Sequence, residues 1–107
     1  MIMNHKAVRV SIYDLKKITR LFIKHFAVGD KLWLFGSRTD LVKKGGDLDL
    51  YIETNLQDPA EITNAKLNFL VDLDVNLGEQ KVDIVINDNK LKLPIYKIAK
   101  AEGVRLV

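Results

Sequence analysis

The sequence predicts an α/β domain of the α+β type: a small mixed β-sheet with helices packed on one face. Apolar residues recur at steps of three and four in stretches that begin with helix-capping residues. Between them lie short runs that are wholly apolar or alternate strictly, as strands do. The order is helix, strand, strand, helix, strand, helix, with a short final strand after the last helix. A mixed sheet covered by helices is the natural packing of that order.

Ser11 and Asp14 form an S-x-x-D start signal for the first helix. Ile12, Leu15, Ile18, Phe22 and Phe26 give it one apolar face, and Val28-Gly29-Asp30 ends it near residue 27. Lys31–Phe35 is a short apolar run that reads as a buried strand, broken by Gly36-Ser37. Residues 37–43 suit a short helical turn, and Gly45-Gly46 is a second break. From Asp47 to Glu53 the chain alternates: Asp47, Asp49, Tyr51 and Glu53 on one side, Leu48, Leu50 and Ile52 on the other. Asp58-Pro59-Ala60-Glu61 opens a second helix, with Ile62, Phe69, Leu70, Leu73 and Leu77 at helical spacing and Gly78 as its C-cap. Val71–Leu77 also alternates, so a strand there is a second reading. Lys81–Asn87 is a strand with Val82, Ile84 and Ile86 against Asp83 and Val85. Pro94 opens a last helix that Gly103 closes, and Val104–Val107 suits a final strand.

Composition bounds what such a domain can do. The 107 residues suffice for one domain, spanning 1–107. Without cysteine there is neither a disulfide nor a thiolate metal site. No apolar run approaches the ~20 residues that span a bilayer, and no secretion signal is evident. A cytoplasmic protein is the expectation, with no membrane partner. The net charge of +3 is unevenly spread: residues 1–45 hold ten Lys/Arg and three Asp/Glu, residues 46–107 seven and eleven. A basic part beside an acidic one suits a triphosphate and its metal ions, although surface charges also fall this way without function.

Asp47 and Asp49 stand two apart on a strand, so their carboxylates leave the same face with Cα atoms roughly 7 Å apart. Carboxylate oxygens are the ligands that hard cations such as magnesium take. Asp83 is the lone acid inside the third strand. If that strand lies beside the second, it joins the pair, and three close carboxylates call for a cation to neutralise them. Gly36 lets a phosphate approach the backbone, and the Ser37 hydroxyl and Arg38 offer phosphate contacts. Each feature alone has a plainer reading: solvent-facing acids, an ordinary turn, a solvated arginine.

Together, F-G-S at 35–37, G-D-L-D-L at 46–50 and V-D-I-V at 82–85 resemble the DNA polymerase β-like nucleotidyltransferase superfamily, in particular its minimal nucleotidyltransferases. The resemblance runs from Lys31 to the E-G-V-R-L ending, with nine residues between Ser37 and Asp47. It implies the nucleotidyltransferase fold, two magnesium ions held by Asp47, Asp49 and Asp83, and ATP as substrate. It further implies that Asp83 helps deprotonate the acceptor hydroxyl and that Gly36 and Ser37 hold the β and γ phosphates. Thr39-Asp40 departs from relatives that carry a small and a second basic residue there.

Minimal members of that family are commonly encoded beside a small helical HEPN protein, often a ribonuclease toxin. The resemblance therefore implies an antitoxin that transfers AMP to a tyrosine of a HEPN partner. Two other readings stand beside it: modification of a small molecule such as an aminoglycoside, and a module that neutralises its partner by contact alone. Nucleic acid as the direct target rests only on the basic N-terminal part and is disfavoured.

Overall fold

A computed structural model describes residues 9–36, 47–78 and 80–107. Among these, three helices and four strands follow in the order α1 (Ile12–His25), β1 (Lys31–Phe35), β2 (Leu48–Glu53), α2 (Pro59–Leu77), β3 (Val82–Asn87), α3 (Pro94–Glu102) and β4 (Val104–Arg105). The class is mixed α+β. The strands form one sheet in the order β3-β2-β1-β4, with β1 antiparallel to both β2 and β4, and β2 parallel to β3. The short helical turn expected at 37–43 and the break at Gly45-Gly46 lie outside the described residues.

Local chemistry sets the ends of the helices. The Ser11 hydroxyl accepts from the Asp14 backbone N–H at 3.1 Å, which satisfies one of the donors a helix start leaves open. Asp58 caps α2 in the same way, accepting from Ala60 N–H at 3.0 Å, with Pro59 just inside the helix. Gly78, with φ +81°, ends α2 in a conformation that costs glycine little. The helix reading of Val71–Leu77 therefore holds over the strand alternative.

α1 and α2 cover one sheet face. Leu15, Ile18, Leu21 and Phe22 of α1 and Ala65, Phe69 and Leu73 of α2 meet Leu32, Leu34, Leu48, Leu50 and Ile52 of the sheet. Phe22, Phe26 and Phe69 form an aromatic trio, with ring centres 5.0 to 6.1 Å apart, that joins the two helices. Ile12, expected on the buried face of α1, is 45% exposed, and Leu21 takes its share of the core.

The expectation of helices on one face only is corrected by α3, which packs on the other. There Trp33 and Tyr51 are buried and need cover. Tyr96 and Ala99 of α3 supply it, with the Tyr51 and Tyr96 rings stacked at 5.6 Å and Trp33 against Tyr51 at 5.3 Å. Hydrophobic burial drives this second layer as it drives the first. Lys100 and Arg105 flank the Trp33 ring at 5.2 and 5.6 Å, so their charge stays near water while the indole is shielded.

Candidate functional site

Asp47 and Asp49 enter the structure where β2 begins. Leu48 N–H donates to the Lys81 carbonyl at 2.9 Å, which ties the starts of β2 and β3 together. The parallel register then sets Asp49 directly opposite Asp83. Paired residues of neighbouring strands share a face, so both carboxylates leave the sheet on the same side. Asp47, two residues before Asp49, belongs to that side too. This is the face that carries Trp33, Tyr51 and α3, away from α1 and α2.

The three acids feel one another. Partial burial raises the Asp49 pKa first, the charges of Asp83 and Asp47 raise it further, and Lys81 pulls it back. Lys81 is a member of the site that sequence reasoning treated only as the start of a strand. Its ammonium lies 3.7 Å from Asp47 and 4.0 Å from Asp83, both about half exposed. A cation is thus drawn to the mouth of the acidic group, in a position where water screens it. Among the described residues, no three acidic or histidine side chains are gathered as a ready-made metal-ligand set. The acids share a face and a register but remain spread.

Gly36 adds the most specific geometry. It follows β1 with φ +76°, and a Cβ placed there would run into the Asp49 carboxylate. The turn after β1 and the carboxylate of β2 are therefore in direct apposition, which β1–β2 pairing produces by setting Phe35 opposite Asp49. Gly36→Ala should cost about 1–2 kcal/mol for the left-handed backbone alone, and it should also push Asp49 aside. Thermal melting and metal titration of that variant would read the two effects separately; a variant with unchanged melting and unchanged metal affinity would refute the steric account.

Of the six residues singled out from sequence, Gly36, Asp47, Asp49 and Asp83 fall at the same end of β2 and β3, on one sheet face, without being gathered into a ligand set. Ser37 and Arg38 lie outside the described residues. The donor set present, carboxylate oxygens on a rigid pair of strands, is the chemistry that fits magnesium or another hard cation. No protein-family model matches the chain, and no curated protein is significantly similar to it.

Proposed function

We propose that the chain is a magnesium-dependent nucleotidyltransferase that transfers AMP from ATP to a hydroxyl acceptor, a tyrosine of a HEPN toxin partner, and so acts as an antitoxin. The observation that carries this reading is the pairing of Asp49 with Asp83 across parallel strands, with Gly36 packed against Asp49. The motif pattern F-G-S, G-D-L-D-L and V-D-I-V resembles that of the nucleotidyltransferase superfamily, and the nucleotidyltransferase fold enters this reading through that resemblance. The half-exposed carboxylates at that end of the sheet are the oxygen ligands this chemistry uses.

In this reading Asp47, Asp49 and Asp83 hold the magnesium ions, which when bound stabilise charge on the attacking and leaving oxygens. Asp83 orients the acceptor hydroxyl and takes its proton. The hydroxyl oxygen bonds to the α-phosphorus, the bond to the β-phosphate oxygen breaks, and pyrophosphate leaves. The missing Cβ at Gly36 lets the Asp49 carboxylate sit directly against the turn after β1. Lys81 neutralises part of the acidic charge until the metal-bound nucleotide arrives.

Calorimetry with ATP, with and without magnesium, tests the reading. ATP should bind only with magnesium. Asp49→Asn should stay folded, because it changes charge and not volume, and should weaken binding about tenfold or more, the worth of ~1.4 kcal/mol. Equal ATP affinity with magnesium and with chelator would remove the proposal.

A further inference from the structure

A second feature shares the sheet face with the acids but none of their residues. At the opposite end of β2 and β3 lies a cavity of about 630 Å³, between the last turn of those strands and the start of α3. Its floor is the buried Tyr51, whose hydroxyl donates to Glu53 at 2.8 Å and accepts from Asn87 at 3.0 Å. Tyr96 forms one wall, and Leu91 and Leu93, 63% and 44% exposed, form an apolar rim. Isolated exposed leucines need no explanation, but two bordering a cavity together with an aromatic wall suggest a covered surface.

The charges on this cavity are unbalanced. Lys92, Lys97 and Lys100 line it, against the single carboxylate of Glu53. Lys100 pairs with Glu53 at 3.2 Å. Among the described residues, Lys92 and Lys97 have no acidic partner. In a concave site with apolar walls, two unpaired ammonium groups attract an anion more strongly than on a flat surface. The start of α3 adds to the same field, since Leu93 gives it no side-chain cap, whereas Ser11 and Asp58 cap the other two helices.

We infer that this cavity is a second ligand site, for a small organic anion with a flat apolar body: an aromatic ring bearing a phosphate or a carboxylate. The apolar body lies within the rim of Leu91 and Leu93, and the anionic group meets Lys92 and Lys97. The volume suits one molecule of nucleotide size or smaller. The site is separate from the carboxylate end and needs no metal, so it does not depend on the reading of the chain as a nucleotidyltransferase.

The test is binding measured by amide NMR in the presence of EDTA, with two anionic probes, AMP and indole-3-acetate, and their neutral counterparts, adenosine and indole-3-acetamide. At least one anionic probe should shift the amides of Asn89, Leu91, Lys92, Tyr96 and Lys97 with sub-millimolar affinity, and its neutral counterpart should bind about tenfold more weakly or less. AMP alone binding identifies a phosphate ligand, and indole-3-acetate alone a carboxylate one. The double variant Lys92→Ala, Lys97→Ala, exposed and so expected to fold, should lose about tenfold in affinity. Leu91→Ala should weaken binding as well, while Asp49→Asn and Asp83→Asn should leave it unchanged. Absence of shifts from both anions, equal binding of the neutral probes, or loss of binding in Asp49→Asn with retention in the lysine double variant would each overturn the inference.

Discussion

If the chain is the nucleotidyltransferase proposed above, Asp83→Ala should abolish AMP transfer to the proposed partner while leaving the protein folded and still bound to it. The Asp83 side chain is half exposed and its only ion pair among the described residues is the 4.0 Å approach of Lys81, so little stability is at stake. Its removal even relieves repulsion on Asp49. Loss of transfer should reach at least about 10²–10³-fold, the usual effect of removing one group that stabilises the transition state. Intact-mass measurement of the partner after incubation with ATP and magnesium reads the transfer, and co-purification reads the contact. If the Asp83→Ala protein neutralises the toxin as well as the wild type does, contact alone is the mechanism and the enzymatic reading fails for this chain.

Asp30→Ala should be strongly destabilising for a polar substitution. Asp30 is only 4% exposed, and its carboxylate accepts from Ala27 N–H at 3.0 Å, Asn55 N–H at 2.8 Å and the Thr54 hydroxyl at 2.5 Å. Thr54 Oγ1 in turn accepts from Leu56 N–H at 3.1 Å. One side chain thus ties the turn after α1 to the end of β2. Alanine would leave the buried Thr54 hydroxyl without its acceptor, at about 1–3 kcal/mol before relaxation, and would also take the acceptor from the part-buried Ala27 and Asn55 N–H groups. We expect a loss of about 3 kcal/mol in urea unfolding and a melting point lower by about 10 °C or more. A loss below about 1 kcal/mol would mean that water replaces the carboxylate and the network contributes little.

Much of the fold could be read from the chain because its signals are local. Caps, prolines and glycines marked both ends of α2 and α3, and the alternation of Asp47–Glu53 and Lys81–Asn87 marked two strands within a residue of their observed bounds. The alternation puts Asp83 on the face opposite Val82, Ile84 and Ile86, and the parallel pairing of β3 with β2 then sets it across from Asp49. The covering of the second sheet face was less legible. Trp33, Phe35 and Tyr51 already gave that face large apolar groups, but the acids flanking Tyr51 made it read as a wet surface. Asp30 looked like a turn residue, since its partners Thr54 and Asn55 lie more than twenty residues away in the chain. Lys81 and the cavity beside α3 were missed for the same reason: both arise from strand register and helix placement, which no local pattern encodes.

The central claim is that Asp47, Asp49 and Asp83 together hold a divalent cation. Paramagnetic manganese added in small amounts to the isotope-labelled protein tests it most directly, because broadening reports distance to the ion. The account predicts early, selective broadening of the amides of Gly36, Asp47, Leu48, Asp49 and Asp83, relieved by excess magnesium and lost in Asp83→Asn. Broadening that instead begins at other surface acids such as Asp58 or Asp88, or that persists at Asp49 in the Asp83→Asn protein, would contradict it.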